Sequence, residues 1–390
     1  MARTAVVLVP GDASNRLYAR LDKPRVVRPW CARTSSTWLR LWLRLASLLN
    51  PLELPCWCDN MQLRLNATTR ALRNAPGVRT RVFDFGGTSS MELLDPSLPA
   101  RATAVWAPMV ASLVHAGLER NVSLRGAPYD FRLSPRTDTA YFDALARLID
   151  ATSDAHGGQP VVLVSHSLGC LQVHAFLRAR SAEWRARRVR TWVAIAGPYG
   201  GTTSLLRLHA SGDAQGLPVS SLALREQQRS YESNAWMLPQ PALWAGAGAL
   251  ATTRARAYTA DELPAFLDDA RSRVGASLLD ALGPLRAGFD APPRVAVECV
   301  FSTGVPTAER FDWRAAAAGF DEQPVELTGD GDGTVNARSL SVCARWVGAQ
   351  AEAVRVRVLH GVRHRDMVMD QRVVQLVLTV AGLAPAPGPA

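Results

Sequence analysis

Lysine is all but missing from this chain: of its 44 basic residues only Lys23 is a lysine, and the rest are arginine. Such a skew, alongside abundant alanine, reads as genome composition rather than site design. It discounts the net charge of +10 as a sign of nucleic-acid binding. The arginines are scattered and no nucleic-acid-binding motif accompanies them, so nucleic acid is not expected as a partner, whereas attraction to an anionic membrane surface is. Long apolar runs are also lacking. No stretch of about 18 apolar residues occurs, which argues against a membrane-spanning helix. The longest candidate, residues 102–117, contains Pro108 and His115 and reads as a buried helix. No Gly-X-Y period, heptad or internal repeat appears, which excludes fibrous and solenoid architectures. The six cysteines form no zinc spacing: Cys56 and Cys58 lie too close together and no matching pair follows, so no metal is expected. A secretory leader is absent too. Met1 is followed almost at once by the strand-like run 4–9, so the chain is either cytosolic or lacks its natural N-terminus.

What is present points to a large globular protein. With 390 residues, 48% of them hydrophobic, the chain buries a sizeable core without needing staples. Apolar runs suited to buried strands fall at 5–9, 160–164, 191–196, 295–301 and 354–359. Each ends in a loop bearing Gly, Ser or His, where ligand sites of parallel sheets lie. Helical periods follow at 168–180 and 367–378. The alternation predicts an α/β fold with a mostly parallel sheet. Residues 212–290 break the alternation and read as an inserted cap or lid. The Ala-Pro-Gly tail, 384–390, is expected to be disordered.

Residues 36–50 carry Trp38, Leu41, Trp42, Leu45, Leu48 and Leu49 at helical spacing, with Arg40 and Arg44 on another side. Two readings stand side by side: an ordinary core helix, or a helix lying in a membrane interface.

The sharpest local feature is Val161-Val162-Leu163-Val164-Ser165-His166-Ser167-Leu168-Gly169. It reads as strand, tight turn, helix, in the nucleophile-elbow form G-x-S-x-G with Ser165 in place of the first glycine. Small residues belong there because the elbow brings two backbones together. Such a turn exposes the Ser167 hydroxyl and aims the Leu168 N–H at a developing oxyanion. A serine nucleophile needs a base and an orienting acid, which follow it in chain order as acid, then histidine. His364, in the loop after the strand at 354–359, suits the base; His360 ends that strand and reads as a packing residue. The acid loop is Gly329-Asp330-Gly331-Asp332-Gly333-Thr334-Val335, and spacing alone leaves Asp330 and Asp332 both open. A calcium loop would need later ligands that are missing.

These stretches together resemble the lecithin:cholesterol acyltransferase family, especially its lysosomal phospholipase A branch. The resemblance runs from residue 5 to about 380. It is carried by VVLVPGDASNRLYARLDKP (6–24), RGAPYDFRLSP (125–135), PVVLVSHSLGC (160–170), REQQRS (225–230), GDGDGTVNARS (329–339) and LHGVRH (359–364). It implies an α/β-hydrolase fold in one domain, with a membrane-binding excursion at 31–56 and a cap at about 212–290. It also implies Ser167, Asp332 and His364 as the catalytic triad, with Leu168 and Phe85 supplying the oxyanion-hole N–H groups. Two departures stand out. The family's Gly-Phe-Gly turn is Asp84-Phe85-Gly86 here, and its Pro-Trp-Gly-Gly is Pro198-Tyr199-Gly200-Gly201.

The same resemblance implies disulfides Cys31–Cys56 and Cys299–Cys343, a free Cys170, glycosylation at Asn66, and membrane insertion through Trp38, Leu41, Trp42 and Leu45. Cys58 has no counterpart. Asp12 matches an aspartate of the phospholipase branch and is expected to serve the structure or to tune pH dependence. The expected reaction moves a fatty-acyl group from a glycerophospholipid at a membrane surface, through an acyl-serine, to water or a lipid alcohol. No cofactor is implied. A sterol or diacylglycerol acyltransferase is the alternative, and a soluble esterase or a non-catalytic lipid-binding protein fits less well. The compartment implied is the secretory pathway, lysosome-like or extracellular.

Overall fold

The computed structural model describes residues 3–66 and 68–383; the tail expected to be disordered, 384–390, lies outside them. Six strands form the central sheet: β1 (Val6–Val9), β2 (Leu124–Gly126), β3 (Val161–His166), β4 (Val189–Ile195), β5 (Val297–Thr303) and β6 (Val354–His360). Their order is β6-β5-β4-β3-β1-β2, and every neighbouring pair is parallel. β1 and β3 are buried along their whole length, which is why both read as unbroken apolar runs. Helices Thr139–Ala155 and Leu168–Arg178 bury apolar residues on the sheet. Because the strands are parallel, their carboxyl ends share one edge, and the loops that matter converge there. The helix expected at 367–378 begins later. A 3-10 turn at His364–Val368 precedes helix Gln371–Val380, whose first turn is capped by the Asp370 side chain.

The expectation of one helix over residues 36–50 is corrected. Leu39–Trp42 is a strand, paired antiparallel with Leu17–Leu21, which in turn pairs with Val78–Val82. Helix begins only at Leu45 and stops at Leu49. Long-range partners override the local period. Arg40 reaches Asp95 at 2.6 Å, the Trp42 indole donates to the Ala13 carbonyl at 2.7 Å, and the Trp57 indole donates to the Leu41 carbonyl at 2.8 Å.

The joint insertion of Trp38, Leu41, Trp42 and Leu45 into a membrane is corrected with it. Leu41 is buried, Trp42 faces the rings of Trp57 and Phe131, Leu45 packs on the core, and Trp38 carries the Arg81 guanidinium over its ring. The residues of this region that do face outward are Trp30, Leu39, Leu49 and Leu52, of which Trp30 and Leu52 are 58% and 61% exposed.

Cys31 is bonded to Cys56, and Cys299, on β5, to Cys343. The first bond ties the excursion to helix Leu54–Met61. That helix also receives Lys23, whose buried ammonium meets Asp59 and Asn60. Cys58, on the same helix, leans its thiol on the Ala223 carbonyl of helix Ser221–Arg229 at 3.4 Å. Within the stretch 212–290, the two-residue strands Ala251–Thr252 and Ala257–Tyr258 join Thr307–Asp312 and Val325–Gly329 in a second, four-stranded sheet.

Candidate active site

β3 runs straight into the elbow. Ser167 has φ 54° and ψ −128°, and helix Leu168–Arg178 begins at the next residue. The end of β1 presses against this turn. A Cβ on Gly169 would stand 2.3 Å from the Pro10 carbonyl oxygen, and one on Gly11 would stand 2.8 Å from the Ser167 Cβ. That close approach is the reason for small residues here. Ser165 is tolerated where the motif has glycine because its hydroxyl is fully occupied below the turn. It accepts from the Trp192 indole at 2.8 Å and faces the Cys170 sulfur at 3.2 Å. Cys170 is equally buried, and burial pushes its thiol up to about 12, so it packs as a small apolar residue.

Three side chains from distant parts of the chain line up at this edge. His364 Nε2 is 2.9 Å from Ser167 Oγ, and His364 Nδ1 is 2.6 Å from Asp332 Oδ2. The other Asp332 oxygen accepts the N–H groups of Val335 and Thr334 at 2.8 and 3.0 Å. Burial opposes the Asp332 charge, but the His364 charge and hydrogen bond and these two N–H groups outweigh it and hold the carboxyl below its usual range. The main chain adds a clamp, since the His364 N–H donates to the Asp332 carbonyl at 2.8 Å.

Between the two open aspartates the geometry is decisive. Asp330 is exposed and accepts from the Gly304 N–H at 2.6 Å, away from His364. His360 is exposed at the end of β6. A residue given no role by the sequence is His166. Its ring centroid lies 4.8 Å from that of His364, and its Nε2 is 3.0 Å from the His364 carbonyl oxygen. Burial first, then the His364 charge, pushes it down to about 3. A neutral His166 therefore braces the His364 loop. Its place inside the elbow motif was the available signal.

The two expected oxyanion donors are placed differently. The Leu168 N–H opens a helix and has no intrahelical partner. Phe85 is corrected. Gly86 donates to Gly126 of edge strand β2 at 2.8 Å, and the Phe85 ring lies exposed against Tyr141. In the sheet order β1 thus lies between β3 and β2, the strand this turn bonds to. The Asp84 carboxylate is also turned away, onto Ser89. The main chain next to Ser167 is instead Gly11-Asp12, at the end of β1.

Asp12 keeps some exposure, but its Oδ1 is out of solvent and has no partner. Burial raises its carboxyl to about 7 against the lowering effects of the Ala13 N–H and the His364 charge. Beside it lies a narrow, mostly apolar cleft lined by Trp42, Trp57, Phe131, Leu217 and Leu224. Among the described residues no group of three or more His, Cys, Asp or Glu is placed to hold a metal ion.

A sequence model of the family described as "Lecithin:cholesterol acyltransferase" matches residues 38–281 and 279–371. Over 371 residues the chain is 40% identical to the Bos taurus protein named "Lysosomal phospholipase A and acyltransferase", covering 95% of this chain and 89% of that one. It is 35% identical over 371 residues to the Rattus norvegicus "Phosphatidylcholine-sterol acyltransferase", covering 95% and 83%. Among solved structures, a chain of the Tle4–Tli4 complex aligns over 97% of this chain and 99% of its own, at a TM-score of 0.52 and 12% identity. That likeness is one of fold alone, and the fold is the α/β hydrolase that the family resemblance implied.

Proposed function

The chain belongs to the lecithin:cholesterol acyltransferase family, and from that premise we propose that it is a serine-dependent phospholipase A and O-acyltransferase working at a lipid surface. The observation that carries the chemistry is the single histidine bridging Ser167 and Asp332, at 2.9 and 2.6 Å, beside an apolar pocket. His364 takes the Ser167 proton as the hydroxyl oxygen attacks an ester carbonyl, and Asp332 holds the ring and stabilises its charge. The N–H groups of Leu168 and Asp12 bind the oxyanion. Water or a lipid alcohol then receives the acyl group from Ser167.

The apolar residues that meet the bilayer in this reading are Leu39, Leu49 and Leu52, between the disulfide-bonded cysteines, and Trp30 just before them. The arginine-borne positive charge adds attraction to anionic lipid. Two disulfides favour an oxidising compartment. Asn66 is exposed, its side chain accepting the Thr68 and Thr69 N–H groups, and is accessible to glycosylation. No helix among the described residues is long and apolar enough to cross a membrane.

The test uses phosphatidylcholine vesicles with and without a long-chain alcohol. The wild-type protein should release fatty acid, and form a new ester when the alcohol is present. Ser167→Ala should lose both by a factor of about 10⁴ or more with an unchanged melting temperature, because triad members act as a unit. Substantial acyl release by that variant defeats the assignment.

A further inference from the structure

The turn that carries Asp12 treats its acceptors and donors unequally. Every main-chain carbonyl from residue 10 to residue 13 accepts a hydrogen bond. Pro10 accepts from the Tyr129 hydroxyl at 3.0 Å, Gly11 from the Ser14 N–H at 3.2 Å, Asp12 from the Ser14 hydroxyl at 3.0 Å and Ala13 from the Trp42 indole at 2.7 Å. The Asp12 N–H, by contrast, has no hydrogen-bond partner among the described residues. A turn with four satisfied carbonyls and this donor left free is arranged to offer the donor to something else.

Peptide planarity ties that free N–H to Trp42. In a trans peptide the C=O and the following N–H share one plane and point in opposite directions. The Ala13–Ser14 peptide is pinned at both ends: its carbonyl takes the Trp42 indole, and its N–H donates to Gly11. The Gly11 carbonyl therefore faces Ser14, and the other side of its plane, the Asp12 N–H, faces away from the turn. The turn needs outside support. Of its two central residues only Ala13 has a positive φ, 53°, the pattern of a type II turn whose third position favours glycine. A side chain there costs free energy, and the closing bond of 3.2 Å lies at the long end of the ordinary range. The indole bond is shorter than the other three. The Trp42 ring is in turn held against Phe131 and Trp57, at centroid distances of 5.8 and 6.2 Å.

We propose that Trp42 is a positioning residue for the acyl transfer: by holding the Ala13–Ser14 peptide, its indole keeps the Asp12 N–H aimed at the oxyanion. The inference rests on the reading of Asp12 as an oxyanion donor given above. The location suits it, because the turn abuts the nucleophile: a Cβ on Gly11 would stand 2.8 Å from that of Ser167. As Ser167 Oγ attacks, the ester carbonyl oxygen gains negative charge. A donor already fixed in place stabilises that charge without reorganising, whereas a peptide plane free to rotate gives up the advantage. Trp42 acts here through the main chain alone. Tryptophan suits the place, since its ring lines the apolar cleft while its N–H reaches the carbonyl.

The experiment compares the wild type and Trp42→Phe on a short soluble p-nitrophenyl ester and on its thiono analogue, in which sulfur replaces the carbonyl oxygen. Phenylalanine keeps an aromatic ring against Phe131 and Trp57 and removes the N–H. Sulfur accepts hydrogen bonds weakly, so the preference for the oxygen ester reports the oxyanion contacts. Because both rates come from one preparation, that preference is independent of the fraction of protein folded. On the oxygen ester kcat should fall roughly tenfold, short of the about 10²–10³ that removing a donor costs, with KM unchanged. The preference should shrink by the same factor. A preference that the substitution leaves unaltered overturns the inference, whether or not the rates fall. So does a raised KM at constant kcat, which would make Trp42 only a wall of the cleft. A wild type with no preference for the oxygen ester defeats the oxyanion reading beneath it, whereas a preference that wild type and variant share defeats the role of Trp42 alone.

Discussion

Replacing Asp12 by asparagine should stabilise the folded protein at neutral pH and leave it unchanged in acid. Burial lifts the Asp12 carboxyl from 3.8 to about 7. The unfolded chain gives up this proton near pH 4, whereas the folded protein keeps it to about pH 7. Between those limits the native state binds more protons, so this one group lowers stability as pH rises. About three pH units at roughly 1.4 kcal/mol each set a ceiling near 4 kcal/mol. Three buried histidines act in the opposite sense over the same window: burial takes His166 and His209 down to about 3 and His174 to about 4. Unfolding lets them charge below about pH 6.5, so their contribution raises stability as pH climbs. The total slope is therefore uninformative, and the difference between variant and wild type cancels the histidines. Urea unfolding of both proteins from about pH 4 to pH 8 should give a stability difference near zero at the acid end. That difference should grow to a plateau above about pH 7. A pH-independent difference, or a variant less stable throughout, would refute the enclosed-carboxyl argument.

Changing Trp30 and Leu52 together to serine should weaken binding to anionic vesicles by about 2 kcal/mol, roughly thirtyfold, while sparing hydrolysis of a short soluble ester. Vesicle co-sedimentation and an esterase assay on one preparation check both halves. Unaltered vesicle binding would remove these residues from the membrane face. Converting Cys31 and Cys56 to serine opens a loop of sequence separation 25 and should cost roughly 3–4 kcal/mol in the chain-entropy treatment. Denaturant melts measure this, and mapping of unreduced peptides checks the pairing in the parent protein.

How much of this was readable from residues alone depended on the range of the interactions. The elbow was legible because Val161 to Gly169 is one continuous piece in which an apolar strand, a small-residue turn and a helix follow in order. Asp332 was not separable from Asp330 by spacing, since both ride one glycine-rich loop and only the fold turns one inward and the other onto Gly304. The strand at Leu39–Trp42 hid behind a helical period because its partners, Leu17–Leu21, Asp95 and Ala13, lie far off in the chain. Phe85 failed for a related reason. No local pattern tells that two strands, β1 and β2, separate its turn from the nucleophile.

The single lysine has a practical corollary. Lys23 is 4% exposed and its ammonium is engaged by Asp59 and Asn60. The folded body thus offers no free lysine amine to acylating dyes, crosslinkers or any enzyme that conjugates tags to lysine. Its positive surface is built from guanidinium groups, which keep their charge at any pH the protein survives. An amine-reactive label appearing at Lys23 would then report a specific event: the parting of Lys23 from Asp59 and Asn60 on helix Leu54–Met61.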